Sequence, residues 1–203
     1  MIKKQSISVS PGNAKLGAIP SVSLPAVTTC NPSAPCFSKC YARKIEKLRP
    51  TVGNAYIRNF EIWASDPAAY WLQVRAHAST SRFFRFHVSG DIPDILYLID
   101  MVITAEQLPN TQFLAFTKQF HTVNQYLRDG YKIPENLKII FSNWGDFKCE
   151  NPYNLPVCEI IFKNAESVPE SWKICGGNCT ECACRGVGCW QIKNGETIAI
   201  HEH

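Results

Sequence analysis

Phe83-Phe84-Arg85-Phe86-His87-Val88-Ser89-Gly90-Asp91 is the stretch whose reading decides the fold. Its first six residues alternate aromatic and polar side chains, the period-two pattern of a strand with one buried face. Ser-Gly-Asp ends the strand, and apolar residues then recur at helical spacing from about residue 93 to 107. The order repeats downstream. Gln112-Phe113-Leu114-Ala115-Phe116-Thr117 reads as a strand, and 119–129 as a helix closed at Asp129-Gly130. Residues 137–142 and 157–162 read as further strands. Strand alternating with helix implies parallel pairing through right-handed crossovers. With four or five strands readable, the expected fold is α/β, a partial (β/α) barrel or open sheet rather than a closed eight-stranded barrel. Reactive groups in such folds gather at the C-terminal strand ends. Here those ends are Ser89-Gly90-Asp91, Thr117-Lys118, Ser142-Asn143-Trp144 and the segment after Phe162.

Upstream, residues 1–29 are rich in Ser, Pro and Gly and read as an irregular or extended lead-in. Helix-forming composition runs from 36 to 48 and stops at Arg49-Pro50. Two more helices are expected at 52–64 and 67–79, the second opening with Asp66 as cap and Pro67 in the first turn. The organisation expected is a barrel-like unit over 1–170 with a cysteine-rich, cluster-binding extension over 171–203.

The chain has 203 residues, and 45% hydrophobic against 19% charged residues is the balance of an ordinary globular protein. A net charge of +4 with no basic run reads as a solvated surface more readily than as a phosphate-tracking stripe. Met1-Ile2-Lys3-Lys4-Gln5-Ser6 lacks a signal-peptide core, and no stretch approaches the roughly 20 apolar residues needed to span a bilayer. The expectation is a cytoplasmic protein with no membrane partner. Thiols stay reduced in that compartment, so ten cysteines there point to metal rather than to disulfides.

The cysteines fall mainly into two segments. Cys30, Cys36 and Cys40 are spaced C-x5-C-x3-C on a loop leading into a helix. Three thiolates there would leave one iron of a cubane cluster open, and the helix N-terminus and Lys39 are expected to favour the thiolate forms. Cys175, Cys179, Cys182, Cys184 and Cys189 follow as C-x3-C-x2-C-x-C-x4-C, with glycines between them that let the backbone fold round an inorganic core. Cys149 and Cys158 lie between the segments as further candidate ligands, Cys158 being equally readable as a buried cysteine of a strand. Structural zinc is the main rival, and Cys179 to Cys182 is the one C-x2-C unit present.

Thr29-Cys30-Asn31-Pro32, then Cys36 and Cys40-Tyr41-Ala42, resembles the phage-encoded gene product 88 family, read as radical-SAM-like iron–sulfur proteins. Gly12-Asn13-Ala14-Lys15-Leu16, Ser89-Gly90-Asp91-Ile92 and Phe116-Thr117-Lys118 add to the match, which covers most of residues 10–145. The resemblance implies a phage or prophage origin and a partial barrel of the radical-SAM type. It also implies a 4Fe-4S cluster on Cys30, Cys36 and Cys40 near the barrel mouth. In radical SAM enzymes the open iron chelates S-adenosylmethionine, which is cleaved by an electron from the cluster, and an electron donor such as a ferredoxin or flavodoxin is the implied partner. Ser89, Gly90 and Asp91 resemble the glycine–acid motif that receives the methionine amino group. The spacing departs from the usual C-x3-C-x2-C, which this chain carries only in its tail, read as an auxiliary cluster.

Three functions follow as expectations. One is a SAM-dependent redox enzyme, a second a non-SAM electron-transfer or redox-sensing protein, and a third a zinc-stabilised nucleic-acid-binding module. Other residues have plainer readings. His87 reads as a core or surface histidine before a proton-transfer group. Asp91 is equally a helix cap, and Lys118 equally a solvated lysine. Phe141 and Trp144 read as packing, and His201 and His203 as an exposed terminus.

Overall fold

The computed structural model describes residues 6–162 and 167–202. The chain is α/β, built on one eight-stranded, mostly parallel sheet in the order β1-β2-β3-β4-β5-β6-β8-β7. The two-residue strands β1 (Val9–Ser10) and β2 (Ser21–Val22) pair antiparallel. From β2 onward every pairing is parallel, through β3 (Phe83–Phe86), β4 (Gln112–Thr117), β5 (Leu137–Ser142) and β6 (Val157–Ile161). The sheet is open, with β1 and β7 at its edges. The strand count exceeds the four or five readable in the sequence. Val9–Ser10, Ser21–Val22 and β7 (Lys173–Ile174) are too short to show a period, and β8 (Thr197–His201) lies where a terminus was expected.

The helices follow the sequence pattern closely. They are α1 (Tyr41–Leu48), α2 (Pro50–Ser65), α3 (Pro67–Ala78), α4 (Ile95–Gln107) and α5 (Phe120–Arg128). Arg49-Pro50 separates α1 from α2 as expected, but Pro50 opens the second helix, where its missing N–H costs nothing. Residues 35–37 form a separate 3-10 turn, so α1 starts at Tyr41 and not at Cys36. Asp66 and Asp94 cap α3 and α4 by accepting from Ala69 N and Tyr97 N.

Strand alternation divides the core into two faces. Phe84, Phe86, Phe113, Ala115, Leu137, Ile139 and Phe141 point to one side, where α2 to α5 bury Trp71, Tyr97, Met101 and Val123 against them. Leu114, Ile140, Cys158 and Ile198 point to the other. The strands from β2 to β6 advance across the sheet in sequence order, so right-handed crossovers put every connecting helix on one face. The last crossover runs backwards. From the edge strand β7 the chain returns to β8, which inserts between β7 and β6. The same handedness rule then sends that connection across the opposite face. There α6 (Cys179–Cys184) and a 3-10 turn at Gly188–Gln191 cover Leu114 and Ile140 with Ala183, Cys189, Trp190 and the following Ile192. Residues 171–202 thus complete the same sheet that the rest of the chain begins. Among the described residues no helix is long and apolar enough to cross a membrane.

Candidate functional site

A cavity of about 210 Å³ opens at the C-terminal strand ends, between the front cysteine loop and the face covered by α6. The loop leaves β2, the first strand of the parallel run, and is tied down above its neighbours. Asn31 Nδ2 donates to Lys118 O at 3.0 Å, Gln119 Nε2 to Thr29 O at 3.3 Å, and Tyr41 OH to Val88 O at 2.7 Å. Cys30, Cys36 and Cys40 all line the cavity, close enough for each of the other two to disfavour a thiolate at Cys30. The chain has no disulfide among the described residues, and all ten thiols are free.

The expectation of ready thiolates is corrected by burial. It pushes Cys30 up to about 12, and raises Cys36 as well. The cation that opposes the shift at Cys36 is Lys118, reaching in from the end of β4, and not Lys39. Lys118 Nζ also donates to Ser142 Oγ at 2.8 Å and stands 5.9 Å from the centre of the Trp144 ring. The strand-end residues Lys118, Ser142 and Trp144 are therefore brought together at the cavity wall.

Ser89, Gly90 and Asp91 line the same cavity, but their polar groups are already engaged. Asp91 Oδ1 accepts from Thr117 Oγ1 at 2.6 Å and Ile92 N at 2.8 Å, and Oδ2 accepts from Lys118 N at 2.8 Å. Burial raises its pKa while those hydrogen bonds pull the other way. The carboxylate thus clasps the ends of β3 and β4 together. Gly90 has φ +75°, and a β-carbon there would stand 2.6 Å from Thr29 Oγ1 and 2.7 Å from Leu24 O, so no side chain fits. Ser89 Oγ donates at 2.6 Å to Glu46, which also accepts from Ala26 N at 2.9 Å. Glu46 ties α1 to the strand ends, and no sequence signal set it apart from the other charges of that helix.

His87 is 4% exposed and has φ +61°, which turns its ring off the strand's alternation toward Tyr97. Nε2 lies 3.0 Å from Tyr97 OH, whose partner is Tyr70 OH at 2.8 Å. Nδ1 is buried without a partner among the described residues. Burial first, and the Arg85 charge second, bring its pKa down to about 3, so the ring is neutral. The core reading of His87 holds, with one ring nitrogen left unpaired beside the cavity. His201, expected at a free end, sits at the close of β8 and lines the cavity rim, while His203 lies outside the described residues.

Of the remaining cysteines, Cys158 and Cys189 are buried on the α6-covered face, and Cys175, Cys179 and Cys182 pack against the same apolar cluster. Arg85 Nη1 points at Cys179 Sγ at 3.8 Å, and its guanidinium lies 4.8 Å from the centre of the Phe116 ring. Cys149 does not join them. It packs on the helical side of the sheet, with its N–H donating to Asn143 Oδ1. Cys184 is exposed. Among the described residues no three His, Cys, Asp or Glu side chains enclose a point suited to a single metal ion.

No solved structure matches the chain. Two curated relatives, the Gene 88 proteins of Mycobacterium phage L5 and Mycobacterium phage D29, are each 27% identical over 145 residues, or 64% of this chain. The match spans 59% of the length of either relative. A family model described as gene product 88 matches residues 2–195, and the chain accordingly belongs to the gene product 88 family.

Proposed function

We propose that this protein is an iron–sulfur protein of radical-SAM-like, partial-barrel design, with a 4Fe-4S cluster held by Cys30, Cys36 and Cys40 and a second in the tail. The observation that carries the reading is three free thiols from the first strand-to-helix loop lining one cavity at the C-terminal strand ends. The donor set fits. Zinc needs its sulfurs about 2.3 Å from one point, whereas a cubane seats each thiolate on a different iron and spaces them more widely. The cations lining the cavity, Lys15, Lys39, Arg85 and Lys118, would offset the negative charge that thiolates and sulfides bring.

Such a cluster, when bound, supplies one-electron chemistry and an open iron for a chelating ligand. The chain's own part is to bind, orient and exclude water. Asp91 fixes the spacing of β3 and β4, Lys118 and Ser142 present a paired cation and hydroxyl, and Trp144 gives an apolar wall. S-adenosylmethionine is the ligand proposed for the open position, with a ferredoxin or flavodoxin as electron donor. An electron carrier without S-adenosylmethionine is the second reading. It is favoured by the Asp91 carboxylate, which already accepts three hydrogen bonds and has little capacity left for an amine.

The test is anaerobic purification with iron, sulfide and zinc analysis, then electron paramagnetic resonance of the reduced protein with and without S-adenosylmethionine. Iron with matching sulfide, and one signal perturbed by the ligand, is the expected outcome. Iron and sulfide without perturbation selects the electron carrier. A colourless protein holding zinc alone refutes both.

A further inference from the structure

We infer that the mouth cavity holds a phosphate-binding subsite, built on Arg85, Lys118 and Ser142, and that the substrate taken there is a phosphorylated small molecule. Calling that molecule a substrate rests on the iron–sulfur reading above. The subsite itself does not, being made of side chains that ligate no iron. Its charge is the first ground. Lys15, Lys39, Arg85 and Lys118 line the cavity against two carboxylates, Asp91 and Glu202, a surplus of two positive charges. A cubane on three thiolates would bring about one negative charge, so the wall stays cationic with the cluster in place. A phosphate monoester, at about −1.5 to −2 near neutral pH, meets what is left.

Geometry is the second ground. Arg85, Lys118 and Ser142 come from three neighbouring parallel strands, β3, the residue after β4, and the last residue of β5. Sheets of this kind present such strand ends to their ligands. The Arg85 guanidinium stands 4.8 Å from the centre of the Phe116 ring, which holds the plane of its fork, and among the described residues no carboxylate pairs with it. That fork suits two phosphate oxygens at once. Lys118 likewise has no carboxylate in ion-pair reach among the described residues. Its Nζ donates to Ser142 Oγ at 2.8 Å, which uses an oxygen lone pair and leaves the hydroxyl hydrogen to be donated onward. Trp144, 5.9 Å from Lys118 Nζ, offers an apolar wall to the rest of the molecule.

Unmet polar atoms are the third ground. Arg85 Nε and His87 Nδ1, both from residues of the cavity wall, are buried with no partner among the described residues. Such atoms cost stability, and two of them at one strand end mark a wall shaped round a polar ligand.

The test is calorimetric titration of inorganic phosphate into the anaerobically purified chain at fixed ionic strength, with iron and sulfide measured on the same sample. Saturable binding is expected. Arg85→Met and Lys118→Met should each weaken it roughly tenfold or more, and Ser142→Ala about threefold. Lys132→Met removes the same charge ahead of β5, at the opposite end of the strands, and should leave binding unchanged. Far-UV circular dichroism separates lost binding from lost fold. Should Arg85→Met not fold, Arg85→Lys keeps the charge without the fork and should still weaken binding several-fold. No saturable binding, or equal weakening by Lys132→Met, overturns the subsite. Acetate bound as tightly as phosphate overturns the phosphate assignment. Phosphate bound by a chain that holds no iron leaves the subsite standing and removes the iron–sulfur reading alone.

Discussion

The front cysteine loop and the cysteine tail are rich in the same residue yet are held by different forces. The front loop is fastened by side-chain hydrogen bonds to strand-end carbonyls and bordered by charges, with little apolar packing of its own. The tail is part of the core. Trp190 and Cys189 are buried under β4 and β5, and β8 completes the sheet. The difference teaches that cysteine density does not predict structural weight. One group stands on a scaffold, and the other is part of it.

The sharpest way to break this comparison is to cut the tail's packing. Trp190 is 1% exposed with its ring edge-on to Phe83 at 5.0 Å, so Trp190→Ala should cost about 3–5 kcal/mol in urea denaturation. Phe37, beside the front cavity, should cost about 1 kcal/mol or less when cut to Ala. Equal losses at the two positions would dissolve the distinction.

Charge, by contrast, should govern the mouth. His87 has a folded pKa of about 3 against 6.5 ordinarily, so the unfolded chain takes up a proton that the folded chain refuses. Stability should therefore fall as pH drops below about 6.5, by about 3 kcal/mol between pH 7 and 4. Asp91 works in the opposite sense. Its raised pKa favours the folded state as pH falls, so Asp91→Asn should steepen the acid loss and His87→Gln should flatten it. Denaturation midpoints at pH 4 and 7 decide the matter, and an unchanged slope in His87→Gln would contradict it.

Backbone conformation gives a smaller contrast. Gly90→Ala should cost roughly 2–3 kcal/mol, because positive φ is compounded by contact with Leu24 and Thr29. Gly130→Ala, at φ +89° in open space, should cost only about 1 kcal/mol. The smallest effect joins the two regions. On the proposed iron–sulfur reading, Arg85→Met should leave iron content unchanged and shift one cluster's midpoint to more negative potential in a redox titration, since removing a nearby cation disfavours the reduced state.

How much of this was legible in the sequence follows from the same physics. Helices α2 to α5 could be read because each buries one face at helical spacing, and β3 to β6 because each is a short apolar run bounded by turn residues, although β4 and β5 are buried on both faces. Cys149 looked like a spare ligand beside Cys158, yet the two occupy opposite faces of the sheet. Spacing cannot reveal that, because residues 143–156 leave the strand and reset the alternation. The reach of Lys118 and Arg85 to cysteines 82 and 94 residues distant was invisible for the same reason, being fixed by topology alone. Thr197-Ile198-Ala199-Ile200-His201 alternates as a strand should, but its position next to β6 follows from β7 having already taken the edge.

That insertion has a kinetic consequence. β8 is synthesised after β7 yet lies between it and β6, so a growing chain holds β6 with one flank unpaired until residue 201 has been made. A chain stalled short of Thr197 therefore presents a raw strand edge at β6.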